Sequence, residues 1–283
     1  MGRKGARTEI LDHATFGHNR PNADDVIDSK SLERALCEKP GSTFFASRAL
    51  GEDFAKRRAR ARERLDAVDP HKRSGGIEAD PKRREWFEAV YALAEGDPAG
   101  VPWAYLEPRP LLEDWLASRS LVDLHALDVG CGLGDNAEAL ARAGARVTAF
   151  DLVERAVQWA RERFPKSEVD YRVADLFNAP DEWRRAFDLV HELYTLQALP
   201  EALLPAAARS LASFVAPGGT LLIISRARDE DEEAGGPPWP LTRKNIESFA
   251  VDGLRLVLLE DIAPSGHFLR HWRAEFRRDE AGA

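Results

Sequence analysis

Three glycines at alternate positions, directly after an apolar run, constrain the fold of this chain more than any other feature. The apolar run covers residues 124–129, and Gly130, Gly132 and Gly134 follow it, ahead of a segment of helical composition at 137–142. This order predicts a buried strand, a tight turn and a helix, because glycine adopts backbone angles that other residues avoid. A ligand could lie against the bare backbone of such a turn, next to the free N–H groups at the beginning of the helix.

Strands and helices alternate through the rest of the chain. We expect six further strands, at residues 146–151, 169–175, 187–192, 220–225, 254–262 and 267–277, and intervening helices at 154–163, 180–185, 201–215 and 242–251. Such alternation predicts an α/β fold with a doubly wound, seven-stranded and mostly parallel sheet. The last two strands are joined by only Ala263-Pro264-Ser265-Gly266, so they should be antiparallel neighbours.

The first 80 residues have a different character from the remainder. Their apolar residues occur in short clusters, which predicts an N-terminal extension (1–80) that is partly helical or disordered. A short helix is expected at 32–38 and a basic helix around 56–64, followed by a linker at Ser74-Gly75-Gly76. The basic helix could be a nucleic-acid or partner-binding arm, or simply a solvated helix.

A single catalytic domain is expected over residues 81–283. Asp80 and Pro81 should begin a helix that reaches about residue 95, and a second helix should cover 109–118. These helices predict a cover (81–119) over the active site of a core domain (120–283).

Charge and cysteine content limit the function classes. Residues 1–80 contain 16 Lys and Arg against 14 Asp and Glu, whereas residues 81–283 contain 24 against 34. An acidic catalytic region disfavours nucleic acid as substrate and favours a small molecule. Cys37 and Cys131 are the only two cysteines, so neither a disulfide framework nor a cysteine-based metal site is expected. No membrane-length apolar stretch or signal peptide is recognisable, which predicts a cytoplasmic protein; the oligomeric state is left open.

Carboxylates occur at the ends of several predicted strands. Ligands of doubly wound sheets bind beyond the carboxyl ends of the strands, where Asp151, Asp175 and Glu192 are expected to lie. Asp151 could accept both hydroxyls of a ribose, or merely cap the next helix. Asp175 could accept from an adenine amine, and Asp128 could face an ammonium group. Asp135 stands where a pyrophosphate would lie, which disfavours a dinucleotide.

As an ordered set, these motifs resemble the class I S-adenosylmethionine-dependent methyltransferases. The set comprises Leu-Asp-Val-Gly-Cys-Gly-x-Gly, the strand-end Asp151, Ala174-Asp175-Leu176 and the segment 215–221 before the fifth strand. The resemblance implies a Rossmann-like methyltransferase fold and S-adenosylmethionine as cofactor. The cofactor-binding residues it implies are Trp103, Asp128, Gly130, Cys131, Gly132, Gly134, Asp151, Leu152, Ala174, Asp175, Leu176 and Glu192.

A narrower resemblance is to the thiopurine S-methyltransferase-like and halide/thiol methyltransferases. It comprises Trp86, Val101-Pro102-Trp103, Ala198-Leu199-Pro200, the loop 235–240 and the closing segment 272–278. This resemblance implies a thiol or another soft nucleophile as acceptor, with an amine or a hydroxyl as the other possibility. It also places Trp103 beside the cofactor, where we expect it to close the site together with the Gly235–Pro240 loop.

Methyl transfer requires donor and acceptor in line, water excluded and, for an amine or hydroxyl, removal of a proton. The candidate catalytic residues are His191 and Glu192, which end the predicted fourth strand, and Tyr194, which follows it. No metal is required. Two alternatives remain: a non-catalytic S-adenosylmethionine-binding or scaffold protein, and a nicotinamide-dependent oxidoreductase on a similar sheet.

Overall fold

A computed structural model of the protein describes residues 44–66, 82–265 and 269–280. The chain divides into two compact units, residues 1–50 and 51–283. Within the first unit, only residues 44–50 are described, and they are helical. The predicted helix at 32–38, the linker at 74–76 and the predicted helix cap at Asp80 lie outside the described residues.

The described residues form seven α-helices and seven strands, with short 3₁₀ turns between some of them. The helices are α1 (Phe44–Asp66), α2 (Lys82–Leu93), α3 (Pro110–Leu116), α4 (Asp135–Arg142), α5 (Glu154–Arg163), α6 (Leu204–Phe214) and α7 (Arg243–Glu247). The strands are β1 (His125–Val129), β2 (Arg146–Asp151), β3 (Asp170–Val173), β4 (Phe187–Leu193), β5 (Val215–Arg226), β6 (Leu254–Ile262) and β7 (His271–Arg278).

The seven strands form one sheet in the order β3-β2-β1-β4-β5-β7-β6. Strands β1 to β5 are parallel, whereas β7 runs antiparallel to both β5 and β6. The predicted fold class, including the antiparallel final strand, is therefore confirmed. Because the sheet extends in opposite directions from β1, the carboxyl ends of β1 and β4 flank the point where strand order reverses, which is where such sheets bind ligands.

Helices cover both faces of the sheet, and the side chains of the central strands are apolar on both faces. Leu221 and Ile223 pack into the hydrophobic cluster on one face, and Leu222 and Ile224 pack into the cluster on the other. All four side chains are fully buried. Each contributes on the order of 1.5–3 kcal/mol to folding. A continuous apolar run, instead of an alternating one, is what a strand buried on both faces requires.

Several predicted boundaries are corrected. Strand β5 begins at Val215, not Thr220, because the Pro217-Gly218-Gly219 segment forms an irregularity inside the strand and does not end a helix. A Cβ atom at Gly219 would lie 3.0 Å from the carbonyl oxygen of Phe187, so this close approach requires glycine. The helix predicted at 201–215 becomes a 3₁₀ turn followed by α6, and the helix after Thr242 ends at Glu247.

Helices α1 and α2 pack near the glycine turn. Tyr91 of α2 belongs to a buried cluster with residues of the turn and of α5. In α1, the guanidinium of Arg57 pairs with Asp97 at 2.7 Å, and Arg58 donates to the carbonyl oxygen of Ala104. Within the second unit, part of the predicted basic helix therefore contacts the segment 97–104 through its arginines. The domain boundary at residue 80 stays a prediction. Among the described residues, no helix is long and apolar enough to cross a membrane.

Candidate active site

The turn between β1 and α4 contains three glycines with positive φ, and each has its own reason to be glycine. A Cβ atom at Gly130 would lie 2.2 Å from the hydroxyl oxygen of Thr195, and one at Gly134 would lie 2.5 Å from that of Tyr171. At Gly132 the nearest atom would be a tyrosine hydroxyl oxygen 3.6 Å away. Gly130 and Gly134 thus make room for the side chains of Thr195 and Tyr171, whereas a Cβ atom at Gly132 would have no side chain within 3.4 Å, so its backbone borders open space.

A pocket of about 310 Å³ lies along the carboxyl ends of the parallel strands. Its lining residues fall into two groups according to strand order. The acidic half follows β1, β2 and β3 and includes Gly132, Asp151 and Asp175. The basic half follows β4 and β5, includes Tyr194 and Arg226, and is completed by Arg62 and Arg109 from α1 and the residue before α3.

Carboxylates of the acidic half are fixed by backbone amides and by one arginine. The two oxygens of Asp151 accept from the N–H groups of Gly132 and Val153, each at 3.0 Å. Asp151 thus caps the chain before α5 and also borders the pocket; its burial raises the pKa of the carboxyl. Asp175 accepts from Arg84 at 3.0 Å.

The predicted cofactor-binding residues do not all reach the pocket. Those that line it are Trp103, Gly130, Cys131, Gly132, Asp151, Leu152, Ala174, Asp175 and Leu176. Those that do not are Asp128, Gly134 and Glu192. The absence of Gly134 follows from its packing against Tyr171.

Of the three candidate catalytic residues, only Tyr194 lines the pocket. His191 is fully buried in β4, where its Nδ1 lies 2.6 Å from Oδ1 of Asp128. Glu192 is also fully buried and accepts from the backbone N–H groups of Thr195 and Leu196. Burial raises the pKa of Glu192 to about 8. A proton acceptor must reach the acceptor atom, so this geometry gives His191 and Glu192 structural positions in the sheet.

Asp135 does not present a free negative charge to a ligand. Its two carboxylate oxygens accept from the guanidinium of Arg163 at 2.7 and 2.8 Å. Such a bidentate pair offsets the charge of the carboxylate. The electrostatic argument against a pyrophosphate, which relied on that charge, is therefore weaker than the sequence indicated.

Aromatic side chains from α2 and the following loop form one wall of the pocket. Trp103 lies within 6 Å, centroid to centroid, of Trp86, Phe87 and Tyr91, and its Nε1 donates to the hydroxyl of Tyr91 at 3.0 Å. Pro237-Pro238, from the loop expected to act as a lid, lines the same pocket. The structure thus brings both predicted lid segments to one site, and their closing motion stays a prediction.

A tyrosine–histidine pair lies in the basic half. The hydroxyl of Tyr194 lies 2.7 Å from Nε2 of His271, and Arg109 donates to the same hydroxyl at 3.3 Å. Because Nδ1 of His271 faces the carbonyl oxygen of Leu269, we assign the proton to Nδ1, so that Nε2 accepts from Tyr194. Burial lowers the pKa of His271 to about 4, and Arg109 and Arg226 act in the same direction. His271 is therefore neutral near pH 7.

Sequence reasoning missed four residues here: Arg62, Arg109, Arg226 and His271. Arg226 directly follows the predicted strand 220–225, so the strand-end rule that identified Asp151 could have identified it. His271 carries no such signal, because it lies at the beginning of an antiparallel strand and not at the end of a parallel one.

Residues 126–219 match a family model described as a methyltransferase domain. The order and directions of the strands agree with that match, so this segment is similar to a methyltransferase domain in both sequence and fold. Over 122 residues, the chain is 41% identical to the ubiquinone biosynthesis O-methyltransferase of Xanthomonas campestris pv. campestris strain B100. That match covers 42% of this chain and 50% of the relative, so the chain spans about half the length of the curated relatives it matches.

Solved structures show the same fold at lower identity. The N-methyltransferase NodS from Bradyrhizobium japonicum WM9, in complex with S-adenosyl-l-homocysteine, is 22% identical with a TM-score of 0.55, and the match covers 70% of this chain and 100% of NodS. The [4+2]-cyclase SpnF is 21% identical with a TM-score of 0.57, covering 73% and 99%. One neighbour is named a methyltransferase and the other a cyclase, so the fold alone does not define the reaction.

The narrower resemblance to thiopurine and halide/thiol methyltransferases is not supported, because the relatives carry the name of O-methyltransferases.

Proposed function

We propose that this chain transfers a methyl group from S-adenosylmethionine to a hydroxyl oxygen of a small molecule. The observation that carries the proposal is that one pocket is lined both by the acidic half and by Tyr194, the partner of His271. The name of the relatives, O-methyltransferase, supports oxygen as the acceptor atom in preference to the thiol expected from the sequence.

The acidic half has the chemistry to hold S-adenosylmethionine. When bound, this cofactor supplies an electrophilic methyl group on a positively charged sulfur. Gly132 offers bare backbone, and Asp151 and Asp175 offer carboxylates to the ribose hydroxyls and the adenine amine. Oδ2 of Asp128 is buried without a hydrogen-bond partner among the described residues, which suits a nearby cationic group. The carboxylates of Asp128, Asp151 and Asp175, in and beneath the pocket, favour a cationic ligand.

Tyr194 and His271 provide a path for the proton of the acceptor hydroxyl. The hydroxyl proton passes to the oxygen of Tyr194, while the proton of Tyr194 passes to Nε2 of His271. The resulting imidazolium still donates through Nδ1 to the carbonyl oxygen of Leu269. Because His271 has a lowered pKa, this path suits an acceptor hydroxyl that is itself acidic, such as a phenol.

Methyl transfer also needs a dry and well-aligned site. Trp103 and Pro237-Pro238 form parts of the pocket wall and would exclude water from the reacting atoms. Alignment would contribute more to the rate than any single contact, because the reaction joins two molecules in one geometry.

The proposal is tested by incubating the purified chain and S-adenosylmethionine with matched phenols, thiols and amines. Release of S-adenosylhomocysteine and a methyl-sized increase in the mass of the acceptor report turnover. We expect turnover of phenols. Turnover of thiols alone would contradict the hydroxyl acceptor. Cofactor binding without turnover of any acceptor would support the non-catalytic alternative, and NAD binding by calorimetry would support the oxidoreductase.

The proton path predicts a specific effect of Tyr194→Phe. We expect kcat for a phenol to fall by about 30-fold or more, since a positioned proton acceptor typically contributes about 10²–10⁴ to the rate. Affinity for S-adenosylhomocysteine should change little. Tyr105→Phe is the matched control, because it removes a hydroxyl from the same pocket and leaves the ring that stacks on Arg109. Equal losses in the two variants would exclude the path.

A further inference from the structure

Three guanidinium groups line the basic half of the pocket. Arg226 stands at the carboxyl end of β5, Arg109 precedes α3, and Arg62 projects from α1. Arg109 and Arg226 are half-buried. Within the described part of the chain, no carboxylate lies within 4.0 Å of any of the three guanidinium groups. The Nε atom of Arg109 is buried and has no hydrogen-bond partner there.

Buried and half-buried arginines elsewhere in the second unit have partners among the described residues, such as the carbonyl oxygens to which Arg278 donates. Arg163, Arg273 and Arg270 each pair with a carboxylate at 2.6–2.8 Å. Withdrawing a cation from water without an anion costs free energy. Burial lowers the pKa of Arg226, and the positive charges of Arg62 and Arg109 lower it further. The chain as a whole has a formal net charge of −8, so this positive cluster opposes its overall charge.

We propose that the acceptor of the methyl group carries an oxyanion, a carboxylate or a phosphate, which Arg109 and Arg226 bind and Arg62 helps to neutralise. This inference rests on the proposed function for the identity of the ligand as the acceptor, whereas the anion site itself stands on the arginine cluster. The guanidinium fork matches both carboxylate and phosphate in a bidentate geometry.

Contacts around Arg109 make it a suitable anchor. Its guanidinium carbon lies 3.6 Å from the ring centroid of Tyr105 and 5.4 Å from that of Tyr194. Stacking on Tyr105 fixes the plane of the guanidinium, and the hydrogen bond to Tyr194 ties its position to the proton path. An acceptor held by its anionic group would therefore have a defined position relative to Tyr194.

A bound anion would also favour proton removal. The charges of Arg109 and Arg226 hold the pKa of His271 down, in addition to burial. An anion between these arginines would offset part of their charge, and the pKa of His271 would rise. An anionic methyl acceptor would thus make His271 a stronger base for its own hydroxyl proton. A neutral methyl acceptor would leave the basicity of His271 unchanged.

The test compares acceptors that differ in one charge. The probes are 4-hydroxybenzoate, 4-hydroxyphenyl phosphate and the neutral 4-hydroxybenzamide, each with saturating S-adenosylmethionine. We expect kcat/KM for at least one of the anions to exceed that of the amide by 10-fold or more. A preference for the benzoate or for the phosphate identifies the oxyanion. Equal kcat/KM for all three would overturn the proposal and leave the proposed function intact.

Variants then connect the preference to the arginines. Arg226→Gln should lower the ratio of kcat/KM for the anion to kcat/KM for the amide at least 10-fold, mainly by raising KM for the anion. The ratio for Arg226→Lys should lie between those of Arg226→Gln and the native chain. The matched control is Arg209→Gln, which removes the same charge from an exposed position of α6. A ratio that is unchanged in Arg226→Gln, or lowered equally in Arg209→Gln, would overturn the proposal.

A direct binding measurement separates the two proposals if no probe is methylated. Calorimetric titration of the chain with benzoate and with inorganic phosphate needs no turnover. Saturable binding that Arg226→Gln weakens at least 10-fold would support the anion site even where the proposed function fails. Absence of binding of either anion, together with absence of turnover, would overturn both.

Discussion

The two halves of the pocket are built in different ways. In the acidic half, backbone groups and strand-end carboxylates form the surface, and Gly132, Asp151 and Asp175 all lie within the segment 126–219 that matches the methyltransferase domain. In the basic half, long side chains converge from distant parts of the sequence. Arg62, Arg109, Arg226 and His271 all lie outside that segment.

This difference teaches which part of the function a local motif can encode. Under the proposed function, the cofactor would be bound by residues that follow three neighbouring strands of one segment, each readable from a local pattern. The acceptor would be bound by residues that only the tertiary structure assembles. We therefore expect substitutions in the acidic half to change cofactor affinity and substitutions in the basic half to change acceptor kinetics.

The largest effect should come from Asp151→Ala. The substitution removes the acceptor of two backbone N–H groups and, under the proposed function, the acceptor of the ribose hydroxyls. Affinity for S-adenosylmethionine should therefore fall by about 3 kcal/mol, roughly 100-fold. Isothermal calorimetry measures the change, and Asp170→Ala, at an exposed carboxylate of β3, is the control. An unchanged dissociation constant for S-adenosylmethionine would show that Asp151 does not bind the cofactor. The assignment of the acidic half to the cofactor would then be wrong.

A smaller effect, of about 2 kcal/mol, is expected from a change of pH, and it concerns the free energy of unfolding. His271 has a folded-state pKa of about 4, below its unfolded value of about 6.5, so the unfolded state binds more protons between these values. The stability associated with neutral His271 is fully present above about pH 6.5 and is lost as pH falls towards 4. Urea unfolding of the native chain and of His271→Gln should show their stability difference shrinking by about 2 kcal/mol from pH 7 to pH 5.

Comparing the two proteins isolates this residue, because groups such as Glu192 titrate in both. A stability difference that stays constant with pH would mean that His271 is not held neutral, and the proton path through Tyr194 would lose its acceptor.

The smallest effect on cofactor affinity should come from Trp103→Ala, which tests the aromatic wall of the pocket. An aromatic ring near a sulfonium contributes about 1–2 kcal/mol when desolvated, so affinity for S-adenosylmethionine should fall roughly 5- to 30-fold. S-adenosylhomocysteine, which is neutral at sulfur, should lose less, and Trp103→Phe should restore most of the difference. Equal losses for both ligands would show that the ring only packs against Phe87 and Tyr91.

The sequence predicted the sheet and the acidic half because both depend on local patterns. Buried runs such as Leu221–Ile224 and the glycine turn are readable from spacing and composition. The basic half depends on strand order and on the packing of α1, which no local pattern encodes. Which of His191, Glu192 and Tyr194 lines the pocket was also visible only in the structure. All three follow or end β4, but Tyr194 has a positive φ of 70°, where the strand has ended and its side chain reaches the pocket.

The basic half of the pocket depends on the register of β5 against β7, because that register places Arg226 opposite His271. These two residues are opposite each other at the end of the antiparallel β5–β7 ladder. Since side chains alternate between the faces of a strand, one residue inserted within β7 would turn His271 away from Tyr194 and put a neighbour in its place. The connection between β6 and β7 is not under that restriction, because it lies outside the ladder. Insertions and deletions should therefore be tolerated at the beginning of that connection, at residues 263–265. They should be excluded within β7 and next to Leu269, whose carbonyl oxygen faces Nδ1 of His271.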